Sequence, residues 1–250
     1  MNCCATPVWA EDTRIHSYDA DATRSASLEA VCRLFLEAAW SHAELLGVGF
    51  EQLRRQGKLW VLSRFHLSCG EMPRWGQAVT VRTWPRTSRS VFAMRDFQML
   101  AAGGETLVTG TSAWLVIDAA TRKPLRSDRM LASVTGLSDT RATERDPERL
   151  PELVGVPACV ALEARYSDVD VNGHVNSGRY VGYMLDTYPA GFHVQKRPLS
   201  LEVNYLAETR EKEPLFLDSL ETEAGTWCHG LRKADGLEVC RARIRWGDRL

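Results

Sequence analysis

SLEAVCRLFLEAAWSHAELL, residues 27–46, is apolar on nearly every side of a helix: Leu28, Val31, Cys32, Leu34, Phe35, Leu36, Ala38, Ala39, Trp40, Leu45 and Leu46 leave little of it for water. A helix of that kind belongs inside a protein, not on its surface. A short extended segment, residues 14–18, precedes it. Strand-like runs follow at 59–69, 78–84, 91–100 and 106–117. They are rich in Val, Thr, Trp and Phe and are broken by Pro73, Gly76, Pro85 and the pair Gly103-Gly104.

The same order then recurs. An extended run at 158–166 leads to a second helix, residues 175–188, which Pro189-Ala190-Gly191 should stop. Strand-like runs follow at 199–207, 215–222, 227–232 and 237–246. In the last, Cys240, Ala242, Ile244 and Trp246 alternate with Arg241, Arg243 and Arg245, which predicts a half-buried strand with a charged, solvated face. Residues 118–157 differ. They are charged, lack clear periodicity and contain Pro124, Pro147, Pro151 and Pro157, so they read as the connection between halves. The expected architecture is α+β: two tandem hotdog domains, each an antiparallel sheet wrapped around a long central helix. The expected division is an N-terminal domain at 1–135, a linker at 136–157 and a C-terminal domain at 158–250.

Directly before the second helix stands Asp170-Val171-Asn172-Gly173-His174-Val175-Asn176. Read as an extended segment, alternation by two puts Asp170, Asn172 and His174 on one side. A carboxylate, an amide and an imidazole beside a helix N-terminus suit acyl-transfer chemistry. The free backbone N–H groups near Val175 and Asn176 are candidates to hold a developing oxyanion. Aligning Glu37 with Asp186 on the two helices sets Asp21 opposite Asp170, Thr23 opposite Asn172 and Ser25 opposite His174. The first half keeps the carboxylate and lacks the amide and imidazole. One working site is therefore expected, in the second half, with the first half supplying walls.

Composition bounds the rest. The 250 residues are 44% hydrophobic and 25% charged, ordinary for a globular protein, and the net charge of −1 carries no footprint for nucleic acid. No apolar run reaches the roughly 18 residues that span a bilayer. No basic and apolar leader opens the chain, so a cytoplasmic location is expected. The seven cysteines, Cys3, Cys4, Cys32, Cys69, Cys159, Cys228 and Cys240, are scattered without a CxxC pair and are expected to be reduced and mostly buried. The histidines show no ligand spacing, so neither a metal nor another cofactor is expected. His42 and His66 read as structural, and His193 and His229 as surface residues.

At this level the chain resembles the acyl-acyl carrier protein thioesterases of plant plastids and bacteria. The resemblance runs over residues 12–246. It is carried by Arg24-Ser25-Ala26-Ser27-Leu28-Glu29, Leu59-Trp60-Val61-Leu62-Ser63-Arg64, Pro73-Arg74-Trp75-Gly76-Gln77, Ser112-Ala113-Trp114-Leu115-Val116 and the Asp170–His174 signature followed by Tyr180. It implies hydrolysis of fatty acyl thioesters by Asp170, Asn172 and His174 together with a glutamate on the following strand, here Glu208. The family often carries a cysteine just after that glutamate. Thr209 stands there in this chain, which weakens any cysteine-nucleophile mechanism. Ser177 replaces a second asparagine of the signature.

His174 is the natural group to move protons near neutral pH. Asp170 and Glu208 remain open alternatives as base or nucleophile. Arg179, Lys196 and Arg197 are candidates to dock an acidic acyl carrier protein, and Trp40, Trp60 and Trp114 to border an acyl tunnel. Neither nucleic acid nor a membrane span is expected, and monomer and homodimer both stay open. An acyl-CoA thioesterase of related fold and a non-catalytic acyl-binding hotdog protein are the alternatives. A hotdog hydratase is disfavoured because no longer-spaced Asp and His pair precedes a helix.

Overall fold

Among the described residues every pairing between named strands is antiparallel, and the strand order reads the same inward from both edges. The computed structural model describes residues 7–87, 91–132, 134, 137–154, 156 and 159–249. The first half contributes β1 (Trp9–Arg14), α1 (Leu28–Leu45), α2 (Phe50–Arg55), β2 (Lys58–Cys69), β3 (Ala78–Pro85), β4 (Phe92–Ala101), β5 (Thr106–Asp118), the two-residue β6 (Pro124–Leu125) and α3 (Ser127–Leu131). The second contributes β7 (Cys159–Glu163), α4 (Ser177–Leu185), α5 (Ala190–Gln195), β8 (Lys196–Tyr205), β9 (Pro214–Glu223), β10 (Thr226–Lys233) and β11 (Glu238–Asp248). The order is β1-β3-β4-β5-β2-β8-β11-β10-β9-β7, with β6 on β5. The two halves are thus one pattern, β1-β3-β4-β5-β2, written twice and joined back to back. At the seam β2 pairs with β8, Phe65 opposite Val203 and Leu67 opposite Leu201, so the two expected sheets form one continuous sheet.

α1 is buried along Leu28, Val31, Cys32, Phe35, Ala38, Ala39 and His42, the three- and four-residue spacing of one helical face. Phe35 stacks on Phe97 of β4 at 5.0 Å. A side chain at Gly110 would meet Leu67 at 2.9 Å and Phe35 at 3.2 Å, so that glycine lets the helix seat on the sheet. The helix is less enclosed than its composition suggests: Trp40 and Leu45 are exposed. α4 is shorter than expected. It ends at Leu185, and Pro189 begins α5 instead of stopping the chain, because a proline fits ahead of a first helical turn. β1 likewise lies earlier than the expected extended segment, at Trp9–Arg14.

The connection between halves is a strap across the outer face of the sheet. Ala142 donates its N–H to Asp96 (2.9 Å), Thr143 bonds Thr111 (2.6 Å), Glu148 donates its N–H to Glu202 (2.8 Å) and Leu150 to Asn204 (2.7 Å). Burial opposes the charge of Glu202, but the Arg145 and Arg243 guanidiniums and the Glu148 N–H outweigh it and hold the carboxyl below its usual range. The strap corrects the reading of β11. Cys240, Ala242, Ile244 and Trp246 are buried as expected, but Arg241 and Arg243 are tied to Glu238, Leu150 and Glu202, and only Arg245 is exposed. The expected domain boundaries at residues 135, 136, 157 and 158 lie outside the described residues, as do Cys3 and Cys4. Cys32, Cys69 and Cys240 are buried free thiols.

Candidate active site

The segment Asp170–Asn176 is a tight turn, not the extended run its alternation suggests. Gly173 takes φ +76°, which an L side chain rarely adopts, and the Gly173 N–H closes on the Asp170 carbonyl at 2.9 Å. Asp170 Oδ1 accepts the Asn172 N–H at 2.8 Å, and the Asp170 N–H reaches the His174 carbonyl at 3.0 Å. Asn176 caps α4, its Oδ1 accepting the Gly178 N–H at 2.9 Å.

The first half repeats this turn residue for residue. Ser27 caps α1 as Asn176 caps α4. Asp21 accepts the Thr23 N–H at 2.8 Å, and the Asp21 N–H meets the Ser25 carbonyl at 2.9 Å. Arg24, opposite Gly173, also takes positive φ, +65°. Asp19 and Asp168 are buried at matching positions and anchor both ends of their turns. The Ser27 and Asn176 N–H groups each donate to that aspartate's carbonyl at 2.9 Å. The alignment that set Ser25 opposite His174 is therefore also the structural one. Ser25 is buried and receives Arg249 at 3.0 Å.

His174 Nε2 lies 3.3 Å from Glu208 Oε2, with the histidine half-buried and the glutamate open to solvent. Glu208 stands three residues beyond the end of β8, in a loop rather than on the strand. Its other oxygen, Oε1, accepts Arg122 Nη2 at 2.6 Å. Arg122 comes from the β5–β6 turn, where Asp118 accepts the Thr121 N–H at 2.7 Å and Arg122 takes φ +58°. Asn176 Nδ2 lies 3.5 Å from Asp170 Oδ2, and the Asn172 side chain is exposed.

Below this surface Asp168 accepts Tyr183 Oη (2.7 Å), the Arg165 N–H (2.8 Å) and Arg179 Nε (2.9 Å). Burial raises the carboxyl, but these three donors outweigh it and hold it below the usual range. Arg179 Nη1 continues to Glu29 on α1 at 2.8 Å, and Gly182 leaves the space that carboxylate fills. Arg122, Asp168, Glu29 and Tyr183 escaped the sequence reading. Asp168 had a signal, the matching Asp19 at the repeat spacing. Arg122 had none, since its meeting with Glu208 is purely tertiary.

Several expected roles meet groups that are already committed. The Val175 N–H donates to the Thr209 carbonyl at 2.8 Å and the Asn176 N–H to Asp168, so neither is free for an oxyanion in this conformation. Thr209 is fully buried, facing inward. Arg179 is half-buried between Asp168 and Glu29. Lys196 pairs with Asp248 and Arg197 with the Gly70 carbonyl, at the start of β8, about 30 Å of strand away from the Glu208 end. His229 is not a surface residue. It is buried, bonded to Tyr188 Oη and Ser219 Oγ at 2.8 Å each, and burial pushes its pKa down to about 3. The sequence missed this because His229 faces inward only once β10 is paired. Trp60 and Trp114 pack on a second apolar cluster of Val48, Leu53, Ala93, Val116, Leu131 and Val134.

The structure is thus a duplicated hotdog with a polar turn of Asp, Asn and His before only the second central helix and a glutamate facing that histidine. Residues 7–132 match the family model of the acyl-ACP thioesterase N-terminal domain and residues 155–248 that of the C-terminal domain. The chain belongs to the acyl-ACP thioesterase family. It is similar to the chloroplastic palmitoyl-acyl carrier protein thioesterase of Arabidopsis thaliana, 30% identical over 268 residues, covering 97% of this chain and 64% of that protein. It therefore spans about two-thirds of the length of that relative. Among solved structures it resembles an acyl-ACP thioesterase from Bacteroides thetaiotaomicron (TM-score 0.82, 27% identity, covering 96% of this chain and 98% of that one). It also resembles the 12:0-ACP thioesterase from Umbellularia californica (TM-score 0.88, 26% identity, 98% of both chains).

Proposed function

We propose that this protein hydrolyses fatty acyl thioesters of an acyl carrier protein, releasing a free fatty acid and the carrier thiol. The observation that carries the reading is the approach of His174 to Glu208 at 3.3 Å, beside the capped N-terminus of α4, in a chain that matches both domains of the family. A thioester has a good leaving group and a weakly resonance-stabilised carbonyl. Activated water and an oxyanion donor suffice to cleave it.

In this reading His174 moves the proton between water and the leaving thiol. Glu208, steadied by Arg122, orients His174 or takes the proton from water, and Asp170 is the alternative carboxylate for that step. The Asn172 carboxamide holds water or the thioester oxygen. The His174 N–H, which has no backbone acceptor among the described residues, is a turn donor open to the oxyanion. The second half carries the chemistry and the first half the acyl chain. The second apolar cluster supports that division, because it lies at the start of β2 and the end of β5, next to the turn that sends Arg122 to Glu208.

The test is thiol release by purified protein from a panel of acyl-carrier proteins and matched acyl-CoAs, with His174→Ala as control. Release from carrier-linked substrates that His174→Ala abolishes is the expected result. Preference for CoA would assign a CoA thioesterase instead. Binding of acyl chains without release would end the enzymatic reading.

A further inference from the structure

The turn before α1 repeats the turn before α4 but lacks its imidazole, since Ser25 stands opposite His174. What it presents to solvent is aromatic and basic. Tyr18 is 73% exposed and Trp75 52%. Each ring carries a guanidinium over its face, Arg33 at 5.7 Å from the Tyr18 centroid and Arg24 at 5.3 Å from that of Trp75. His16 stacks on the other ring partner, Tyr18, at 5.2 Å.

These residues share one surface. The Trp75 N–H donates to the Arg24 carbonyl at 2.9 Å, the Gly76 N–H to the Ile15 carbonyl at 2.8 Å, and Arg14 Nη1 to the Gly76 carbonyl at 2.7 Å. The end of β11 and the start of β8 join it, through Arg249 Nη1 on Ser25 Oγ at 3.0 Å and Arg197 Nη1 on the Gly70 carbonyl at 2.8 Å. The Arg249 N–H also holds the Gln195 carbonyl at 2.8 Å, and next to Gln195 the Val194 side chain is 61% exposed. Arg14, Arg24, Arg74, Arg197 and Arg249 have no carboxylate partner among the described residues, whereas Arg33 is paired with Asp19 and Lys196 with Asp248. Asp12, Asp21 and Glu71 are the exposed carboxylates on these segments, and the five guanidiniums outnumber them.

Exposed arginines alone are most often only a solvated face. Here they surround two exposed amphipathic rings and an exposed valine. Tyr and Trp of that kind settle where lipid headgroups meet acyl chains, and arginine is drawn to anionic lipid and pairs with phosphate. We infer that the surface formed by residues 14–25 and 70–77, with the start of β8 and the end of β11, is a docking surface for an anionic lipid bilayer. The arginines meet the phosphate headgroups, and Trp75 and Tyr18 settle among them. The contact is peripheral and needs no membrane span. A lipid occupant is favoured over an acidic protein because the proposed reaction yields a free fatty acid, an amphiphile that partitions into bilayers. In that choice of occupant the inference rests on the proposed function.

The experiment is sedimentation of the purified protein with vesicles of phosphatidylcholine alone and of phosphatidylcholine with phosphatidylglycerol in equal parts, at about 0.1 M and about 1 M salt. The variants are Arg14→Gln/Arg24→Gly/Arg74→Gln, Tyr18→Ser/Trp75→Ser and, as a control from another basic part of the surface, Arg54→Gln/Arg55→Gln/Lys123→Gln. Each is checked for an unchanged melting temperature and for unchanged thiol release from a soluble acyl thioester. The wild type should sediment with the mixed vesicles at low salt, bind phosphatidylcholine about tenfold more weakly or less, and be largely released at high salt. The arginine variant and the aromatic variant should each weaken partition by about tenfold or more, and the control should stay within about twofold. No binding of the wild type to mixed vesicles, partition of either variant equal to wild type, or an equal loss in the control overturns the docking surface and leaves the thioesterase reading intact. Retention of acyl-carrier protein that the arginine variant loses, with no vesicle binding, overturns the lipid reading in favour of a protein partner. Vesicle binding as expected without any thiol release strikes the thioesterase reading and leaves the lipid surface standing.

Discussion

Arg122 and Glu208 lie 86 residues apart, in opposite halves of the chain, and meet at 2.6 Å over the candidate histidine. Both side chains are well exposed, so the pair adds little to stability, typically well under 1 kcal/mol. Its consequence is orientation, because one carboxylate oxygen is held by Arg122 while the other faces His174. Arg122→Gln is expected to lower kcat by about tenfold and to leave the unfolding midpoint almost unmoved. Steady-state thiol release and a thermal melt on the same preparation check this. Full activity in Arg122→Gln would show that Glu208 needs no such anchor.

The chemistry itself should collapse without the imidazole. His174→Ala and Glu208→Gln are each expected to lose about 10²–10⁴-fold in kcat/KM. Thr209→Val should keep activity within a few-fold, because the Thr209 side chain is buried and only its carbonyl serves the turn, through the Val175 N–H. A loss in Thr209→Val as deep as that in His174→Ala would make Thr209 part of the reaction.

Arg24 and Gly173 offer a matched pair of backbone tests. Both have positive φ in equivalent turns, and only one is glycine. Gly173→Ala should destabilise the protein by about 1–2 kcal/mol. Arg24→Gly should stabilise it by up to about 1 kcal/mol, reduced by loss of the Arg24 contact with the Trp75 ring at 5.3 Å. Urea unfolding of both variants measures the two signs.

Acid sensitivity should trace to His229. Burial lowers its pKa from 6.5 to about 3, so below pH 6.5 the unfolded chain binds a proton that the folded chain does not. Its contribution is complete above pH 6.5 and is lost as pH falls toward 3. Between pH 6.5 and 4.5 the expected cost is about 2–3 kcal/mol. His66, also lowered chiefly by burial, adds in the same direction. His229→Gln should shrink the pH dependence in denaturant unfolding at pH 7 and pH 4.5. Equal slopes for both proteins would mean the buried imidazole is not the sensor.

The cross-half chain Glu29–Arg179–Asp168 should hold the working turn in place. Arg179→Met leaves a buried Asp168 with two donors in place of three and is expected to cost about 1–3 kcal/mol. Glu29→Gln should cost less, because Glu29 is partly exposed. A double-mutant cycle over Arg179 and Glu29, followed by urea unfolding, should give a coupling of about 0.5–1 kcal/mol. Zero coupling would reduce the contact to packing.

Much of this arrangement was legible along the chain. The spacing of Leu28, Val31, Cys32 and Phe35 marks a buried helix, the alternation at Cys240–Trp246 marks a strand, and the repeat itself sets Ser25 opposite His174, because periodicity and local turn chemistry are written in neighbouring residues. A repeat of elements also implies a repeat of folds, and that reading agrees with the tandem hotdog observed. Local sequence misled where a turn depends on backbone freedom: alternation at Asp170, Asn172 and His174 looks extended until Gly173 bends it.

Contacts between distant segments were decided only in three dimensions. No pattern in the sequence joins Arg122 to Glu208 or Glu29 to Arg179, or turns His229 inward and makes a strap of the connecting segment. Those relations arise when β2 and β8 pair across the seam and bring one half's loops over the other's turn. The sequence by itself determined which side chains can do acid–base work and where the helix that follows them begins. The tertiary structure decided which charges surround them, because Coulomb and hydrogen-bond terms depend on separation in space, not along the chain.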